Sequence, residues 1–183
     1  MNLDALFCLT YGIYVVSSRA GQRLGGLICN TVIQVTAEPP RLAVVMNRRH
    51  YTHELAGSAG RVSVAVLSED APLKFIGRFG FRSGRDFDKY ADIAYGTLPS
   101  GCPYPRDFVL AAFDLAVERA VPVASHMLFV CLLEEALILG EGRPMTYAYY
   151  REVLRGKTPP TAPSYVSPAG SGKEQPPEGE TGR

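Results

Sequence analysis

Three clusters of polar side chains in this sequence carry groups that could bind an anion or move a proton. The first cluster, Asn30 to Gln34, places amide and hydroxyl groups inside an otherwise apolar stretch. Successive side chains of a β-strand alternate between faces, so Val32 and Gln34 share one face while Thr31 and Ile33 share the other. The polar residues therefore do not sort onto one solvated face. Hydrogen bonding to a ligand is thus an alternative to simple exposure.

The second cluster, Met46 to His53, leaves a predicted strand and enters a short predicted helix. It contains Asn47, Arg48 and Thr52 beside a second arginine and two histidines. The free N–H groups at a helix start, together with guanidinium and hydroxyl donors, suit a phosphate. The alternative is a solvated basic turn with Thr52 as the N-cap.

The third cluster, Phe79 to Tyr90, mixes aromatic residues, glycines and basic residues that include Lys89. Loops of this composition often cover ligands, and the alternative is a surface loop packed over its own aromatic rings. His126 opens a later apolar stretch, where a single histidine is usually a core residue. Because histidine in general titrates near neutral pH, it could instead hold or release a proton beside a redox-active ring.

The glycines and cysteines exclude several other sites. Gly21 to Gly26 lacks the Gly-Lys-Ser/Thr of a P-loop, and Gly77 to Gly84 has the wrong spacing for a dinucleotide fingerprint. Turn glycines with positive φ are the simpler interpretation of Gly21 to Gly26. The four cysteines form no C-x-x-C pair, so no metal site is predicted. Cys29 and Cys131 are expected to be buried, reduced thiols.

Composition predicts one ordinary globular domain. The chain has 183 residues, 46% of them hydrophobic and 20% charged, with a formal net charge of +1. Without a basic stripe, nucleic-acid binding is excluded. No apolar stretch approaches the roughly 18 residues of a membrane span, and the N-terminus does not resemble a secretion signal. A cytoplasmic location is therefore expected.

The pattern of short β-branched stretches predicts a mainly β barrel in residues 1–156, with a few short accessory helices. Residues 157–183 form a Pro/Gly-rich tail, expected to be mobile beyond about Tyr165. The predicted strands are Gly12–Ser18, Leu27–Thr36, Arg41–Asn47, Arg61–Leu67, Phe108–Ala116 and His126–Leu133, the last buried on both faces. The predicted helices are Asp4–Leu9, Thr52–Ala59 and Pro72–Gly77, with Asp70 as the N-cap of the last.

The order of these pieces resembles the flavin reductase-like, FMN-binding split-barrel family, and within it the flavoredoxin and high-molecular-weight rubredoxin N-domain branch. The resemblance covers nearly the whole predicted domain. The stretches that carry it are Tyr11–Ser18, Asn30–Thr36 with Pro39-Pro40, Met46–Arg48 with Thr52-His53, Ser68–Asp86, His126–Val130 and Met145–Tyr150.

The resemblance implies a split β-barrel that forms a homodimer and binds FMN near the subunit interface. It implies that Asn30, Thr31, Val32 and Gln34 lie along the isoalloxazine ring and ribityl chain, and that the phosphate is held by Asn47, Arg48, Thr52 and Lys89. His126 matches the histidine near the ring and the nicotinamide. Tyr147 would lie close to the dimer interface.

The implied function is transfer of electrons from NADH or NADPH through FMN to a flavin or an iron protein. Cys131-Leu132 departs from the family pattern, and the tail is free of cysteine. A rubredoxin-like or diiron partner would therefore be a separate protein. The alternatives are a flavoredoxin-type electron carrier reduced by a protein partner, and a non-catalytic split-barrel protein that binds flavin or haem.

Overall fold

The computed structural model describes residues 1–166, which form nine strands, three α-helices and one 3₁₀ helix. Residues 167–183, most of the predicted tail, lie outside the described residues. The strands are β1 (Tyr14–Ala20), β2 (Arg23–Cys29), β3 (Val32–Ala37), β4 (Pro40–Asn47), β5 (Arg61–Leu67), β6 (Tyr95–Thr97), β7 (Pro103–Pro105), β8 (Val109–Val123) and β9 (His126–Ile138). The helices are α1 (Tyr51–Ala59), α2 (Leu73–Gly80) and α3 (Tyr147–Glu152), with the 3₁₀ helix at Leu3–Cys8.

Seven strands form one antiparallel sheet in the order β2-β1-β5-β8-β9-β4-β3. The sheet coils, because the end of β2 returns to β4: Cys29 Sγ lies 3.3 Å from the carbonyl oxygen of Val45. The amide of Val45 also donates to the carbonyl of Thr31 at 3.0 Å. The coiled sheet encloses its own core, which confirms the predicted mainly β barrel.

Two apolar cores follow from the alternation of side chains along these strands. The barrel interior is filled from all seven strands and α1 by Val16, Leu27, Cys29, Val32, Leu42, Val44, Met46, Ala56, Val62, Val64, Leu115, Phe129 and Cys131. The outer core, on the opposite face of β1, β5 and β8, packs against α2, α3 and the β6–β7 hairpin. Cys29 and Cys131 are 3% and 0% exposed, so both are buried as predicted.

The prediction of one strand over Leu27–Thr36 is wrong, because two strands occupy that stretch. Cys29 at the end of β2 pairs with Tyr14, whereas Val32 at the start of β3 pairs with Val44. β2 and β3 are the two outermost strands in the sheet order. The chain therefore crosses from one edge to the other at Asn30-Thr31, and these two polar residues mark the crossing.

β8 and β9 are longer than predicted and form one hairpin, with Val123 paired to His126 at its turn. The expectation that β9 is buried on both faces is also wrong. Phe129 and Cys131 are buried, whereas Leu128 and Val130, which alternate with them, are half-exposed. This alternation arises because only one face of β9 lines the barrel interior.

The glycines and helix caps also differ from the prediction. Gly21 has φ of 61° in the β1–β2 turn, but Gly25 and Gly26 lie within β2. A Cβ on Gly25 would lie 2.8 Å from Leu55 and 3.1 Å from Thr52 Oγ1, so this glycine lets α1 approach the sheet. The N-cap residues of α1 and α2 are His50 and Pro72 instead of Thr52 and Asp70, because α1 begins one residue earlier than predicted and α2 one residue later.

Within residues 1–166, the helices are all too short and too polar to cross a membrane.

Candidate functional site

Polar side chains meet where β2, β4 and β9 come together at one end of the barrel. Asn47, the last residue of β4, is the register partner of His126, the first residue of β9. Asn30 directly follows the last residue of β2 and is buried, as is Asn47. Two amide groups and one imidazole thus form a small patch of hydrogen-bond donors, which we call the donor patch.

Residues 158–164, which we call the strap, lie across the donor patch. The carbonyl oxygen of Thr161 accepts from Asn47 Nδ2 at 3.3 Å and lies 3.1 Å from His126 Nε2. The amide of Asn30 donates to the hydroxyl of Ser164. A backbone carbonyl only accepts hydrogen bonds, so His126 Nε2 carries a proton in this arrangement. Ser125 Oγ lies 2.9 Å from Nδ1, the other ring nitrogen, and holds the ring in its orientation.

An apolar cavity, partly open to solvent, lies between the donor patch, α2, α3 and the strap. Its polar end is formed by Asn30, Asn47 and His50. Its apolar walls are formed by side chains from the sheet, from α2 and the residue after it, and from α3: Ile13, Leu27, Ile28, Met46, Ile76, Phe81, Tyr147 and Tyr150. An apolar slot with a few convergent polar groups at one end is typical of sites for flat, amphipathic cofactors.

A second, more polar cavity continues from the first and shares Leu27, His50 and Phe81 with it. Its polar groups come from the start of α1 and from the loop after α2: Arg49, Thr52, Arg82, Ser83 and Lys89. This is the combination of cations, hydroxyls and helix N–H groups that suits a phosphate.

Lys89 is the buried cation of this second cavity. It is 5% exposed, and its Nζ donates to the carbonyl of Phe79 at 2.7 Å. Burial lowers the pKa of Lys89 to about 8, so most of its ammonium stays charged at neutral pH. A buried ammonium with a single protein acceptor retains donors for an anionic ligand.

His50 lies where the two cavities meet and is the N-cap residue of α1. Its pKa is lowered to about 4, first by burial and then by the nearby charges of Lys89, His126 and His53. His50 is therefore neutral at physiological pH and offers the site an uncharged imidazole. Sequence reasoning placed it in the second cluster without assigning it a role, because its burial depends on groups distant in sequence.

Lowering the pH from 7.5 to 4.5 should destabilise the protein partly through His50. The unfolded imidazole takes a proton near pH 6.5, whereas the folded one resists protonation down to about pH 4. The unfolded state binds more protons in this window, so stability falls as the pH falls. After allowance for partial exposure of the ring, the loss should be about 1–2 kcal/mol.

Urea unfolding of the wild type and of His50→Gln at both pH values measures this contribution. The wild type should lose about 1–2 kcal/mol more than the variant over the window. Equal losses in the two proteins would contradict the assignment of a lowered pKa to His50.

The structure brings only some of the sequence-predicted residues to the cavities. Asn30 and Asn47 line the first cavity, Thr52 and Lys89 line the second, and His126 borders the first through Thr161. The other four lie elsewhere, and they are Thr31, Val32, Gln34 and Arg48.

These four residues have local partners instead. Thr31 donates to the side chain of Asn30, and Val32 is buried in the barrel interior. Gln34 is exposed and donates to the carbonyl of Thr36, and Arg48 is exposed at the end of β4. Tyr147, expected near a dimer interface, is buried and lines the first cavity.

Comparison with known proteins shows which family this chain is similar to. Residues 6–157 match the flavin reductase like domain. High molecular weight rubredoxin of Moorella thermoacetica is 41% identical over 166 residues, covering 91% of this chain and 72% of the relative. Ferric-chelate reductase (NAD(P)H) of Archaeoglobus fulgidus is 36% identical over 165 residues, covering 90% of this chain and 98% of the relative.

A solved structure shares the fold. The FMN-binding protein from Thermus thermophilus, with bound p-hydroxybenzaldehyde, aligns with a TM-score of 0.66 at 20% identity. The alignment covers 75% of this chain and 87% of that chain.

Proposed function

Because the chain belongs to the flavin reductase-like domain family, we propose that it is an FMN-dependent oxidoreductase. It takes electrons from NADH or NADPH and passes them to a flavin or an iron-containing acceptor. The related ferric-chelate reductase, whose name specifies NAD(P)H, supports this donor class. The observation that carries the proposal is the continuity of the apolar cavity, which ends in the donor patch, with the polar cavity around Lys89.

The residues present fit FMN. The flavin ring is flat and mostly apolar, with polar carbonyl and nitrogen atoms along one edge, and the apolar cavity offers amide donors from Asn30 and Asn47 at one end. The phosphate carries negative charge, and the polar cavity offers Lys89, Arg82 and Thr52. When bound, FMN supplies an acceptor for hydride that can release its electrons one at a time.

The protein's own groups bind, orient and hold a proton. Asn30 and Asn47 would hold the polar edge of the ring, and Lys89 with Thr52 would hold the phosphate. His126 holds a proton on Nε2 beside Thr161, which lines the apolar cavity, and would hold or deliver that proton when a flavin is bound. The residues of α2 and α3 exclude water from the apolar walls, which strengthens the hydrogen bonds made inside.

Reconstitution with FMN tests binding. Purified protein mixed with FMN should retain one flavin per chain through gel filtration and quench its fluorescence on saturation. Riboflavin, which lacks the phosphate, should bind more weakly. Failure to retain either flavin would contradict the proposal.

A second candidate function is that of an electron carrier whose flavin is reduced by another protein. The 41% identity to high molecular weight rubredoxin favours it, because the name of that relative includes an electron-transfer protein. The partner would be a rubredoxin-like or diiron protein. Flavin that is reduced by dithionite but not by NADH or NADPH would favour this candidate.

We further propose a homodimer that is held together by β3 and the outer half of the β8–β9 hairpin. Ile33 and Val35 of β3 are 58% and 51% exposed, and Val123 at the hairpin turn is 53% exposed. Apolar side chains exposed on a sheet edge or a hairpin are typical of interaction surfaces. The cytoplasmic location stays a prediction.

Replacing Ile33 with aspartate should shift the protein from dimer to monomer in sedimentation velocity. The reason is that a buried carboxylate without a partner is costly at an apolar interface. Leu73→Asp, at an exposed apolar residue on α2, serves as the control and should leave the dimer intact. A wild-type protein that sediments as a monomer at micromolar concentration would contradict the proposed dimer.

A further inference from the structure

The strap occupies the donor patch in the way that a ligand carbonyl would. The Thr161 carbonyl receives hydrogen bonds from Asn47 Nδ2 and lies 3.1 Å from His126 Nε2. The amide of Asn30 is turned to Ser164 on the same segment. All three groups of the donor patch are therefore satisfied by one stretch of seven residues. A ring carbonyl of a flavin would need the same donors.

We propose that the strap is an internal competitor for the flavin site, which must leave the donor patch before a flavin carbonyl can occupy it. This inference rests on the proposed function. It assigns the strap the role of an autoinhibitory segment and gives the Thr161 carbonyl the position of a ligand oxygen. With the strap closed, the Nε2 proton of His126 is committed to Thr161 and is not available to a bound ligand.

The turn that precedes the strap is fixed by hydrogen bonds to Tyr150. Tyr150 OH donates to the carbonyl of Lys157 at 2.8 Å, and the amide of Gly156 donates to the carbonyl of Tyr150 at 2.9 Å. A Cβ on Gly156 would lie 2.1 Å from the Tyr150 ring, so this turn requires glycine. Opening therefore begins after Lys157.

Three prolines in the strap lower the entropy cost of closing it over the donor patch. Pro159, Pro160 and Pro163 restrict the open segment, so closing it costs less conformational entropy than for an ordinary chain. The entropy cost of closing is offset by four hydrogen bonds, three to the donor patch and one between Tyr147 and Thr158, and by Pro159 and Pro163 at the apolar cavity. A segment balanced in this way can be displaced by a ligand that takes over its hydrogen bonds.

The expected gain in FMN affinity depends on the fraction of molecules in which the strap is open. The apparent dissociation constant of a ligand that binds only the open state is its intrinsic value divided by the fraction of open molecules. If about one molecule in ten is open, removing the strap should tighten FMN binding about tenfold.

The test compares two shortened chains, one ending after Lys157 and one ending after Val166. Only the first lacks the strap, and both keep the anchored turn at Gly156. FMN dissociation constants are measured by fluorescence quenching. The first chain should bind FMN about tenfold more tightly than the full chain, and the second should match the full chain. Equal or weaker binding by the first chain would overturn the inference.

Hydrogen exchange in the full chain provides a second measurement that does not depend on truncation. Saturating FMN should speed exchange at the amides of Thr161, Ala162 and Ser164, while the amides of β4 and β9 stay protected. The double variant Pro159→Gly/Pro160→Gly should bind FMN about two- to fivefold more tightly, because a looser open segment closes less often.

Unchanged or slower exchange of the strap amides with FMN bound would overturn the inference alone, since the proposed function would stand. Absence of FMN binding by every version of the chain would instead overturn the proposed function, and the inference with it.

Discussion

Replacing His126 with alanine should slow the reduction of bound FMN by NADH or NADPH about 100-fold, while the FMN dissociation constant changes less than threefold. The imidazole holds a proton on Nε2, hydrogen-bonded to the carbonyl of Thr161, which lines the apolar cavity, and Ser125 Oγ contacts its Nδ1. A positioned proton donor or acceptor is worth about 10²–10⁴ in rate. Its loss should therefore appear in the chemical step and not in binding.

Stopped-flow absorbance at saturating FMN measures this rate. His53→Ala is the matched control, because His53 packs against Phe129 at 5.6 Å and lines neither cavity. The control should reduce FMN at nearly the wild-type rate. If His126→Ala and His53→Ala behaved alike, His126 would have no part in the transfer.

Replacing Lys89 with methionine should weaken FMN binding about 10- to 100-fold while leaving riboflavin binding nearly unchanged. A charge-assisted hydrogen bond contributes about 1.5–3 kcal/mol, which corresponds to that range of affinity. Methionine keeps the apolar stem and removes the ammonium. The ratio of FMN to riboflavin affinity separates a phosphate contact from a structural role, because riboflavin lacks the phosphate.

Two further observations check the role of Lys89. Thr52→Val, a substitution of nearly equal volume in the same cavity, should lower FMN affinity in the same direction by a smaller factor. Wild-type affinity for FMN should also fall as the pH rises through about 8, since the Lys89 ammonium loses its proton there. An equal loss of FMN and riboflavin affinity in Lys89→Met would make this lysine structural only.

The parts of the fold that were predictable from sequence are those set by local alternation. β5 runs over Arg61–Leu67 as predicted, because Val62, Val64 and Val66 alternate with no competing signal. The prediction of one strand over Leu27–Thr36 is wrong, because every residue across Asn30-Thr31 is compatible with an extended chain. The crossing between sheet edges depends on pairing with distant strands, which no local pattern records.

The outer half of the β8–β9 hairpin was missed for a related reason. Glu118 and Arg119 are charged, and Pro122 has no backbone N–H to donate to a neighbouring strand. The sequence of residues 117–123 is therefore typical of a loop. They are paired nonetheless with β9, because His126 to Val130 supply the opposite edge.

Residue type suggests a phosphate contact for Thr52, whereas the resemblance alone assigns one to Lys89, and both roles stay predictions. Thr52 and Lys89 were expected near a phosphate, and both line the polar cavity. Thr31 and Gln34 were assigned through the resemblance, but the crossing at Asn30-Thr31 directs them to other contacts. The strap was interpreted as part of a tail because its composition is polar. Its contact with His126 is made by a backbone carbonyl, which composition does not encode.

FMN bound to this chain should accept electrons from a nicotinamide nucleotide. An anaerobic absorbance titration of the FMN-loaded protein tests this transfer directly. Stepwise addition of NADH or NADPH should bleach the flavin band at about 450 nm. About one equivalent of nucleotide should suffice, since hydride transfer delivers two electrons. Flavin that remains oxidised with either nucleotide and bleaches only with dithionite would contradict the claim.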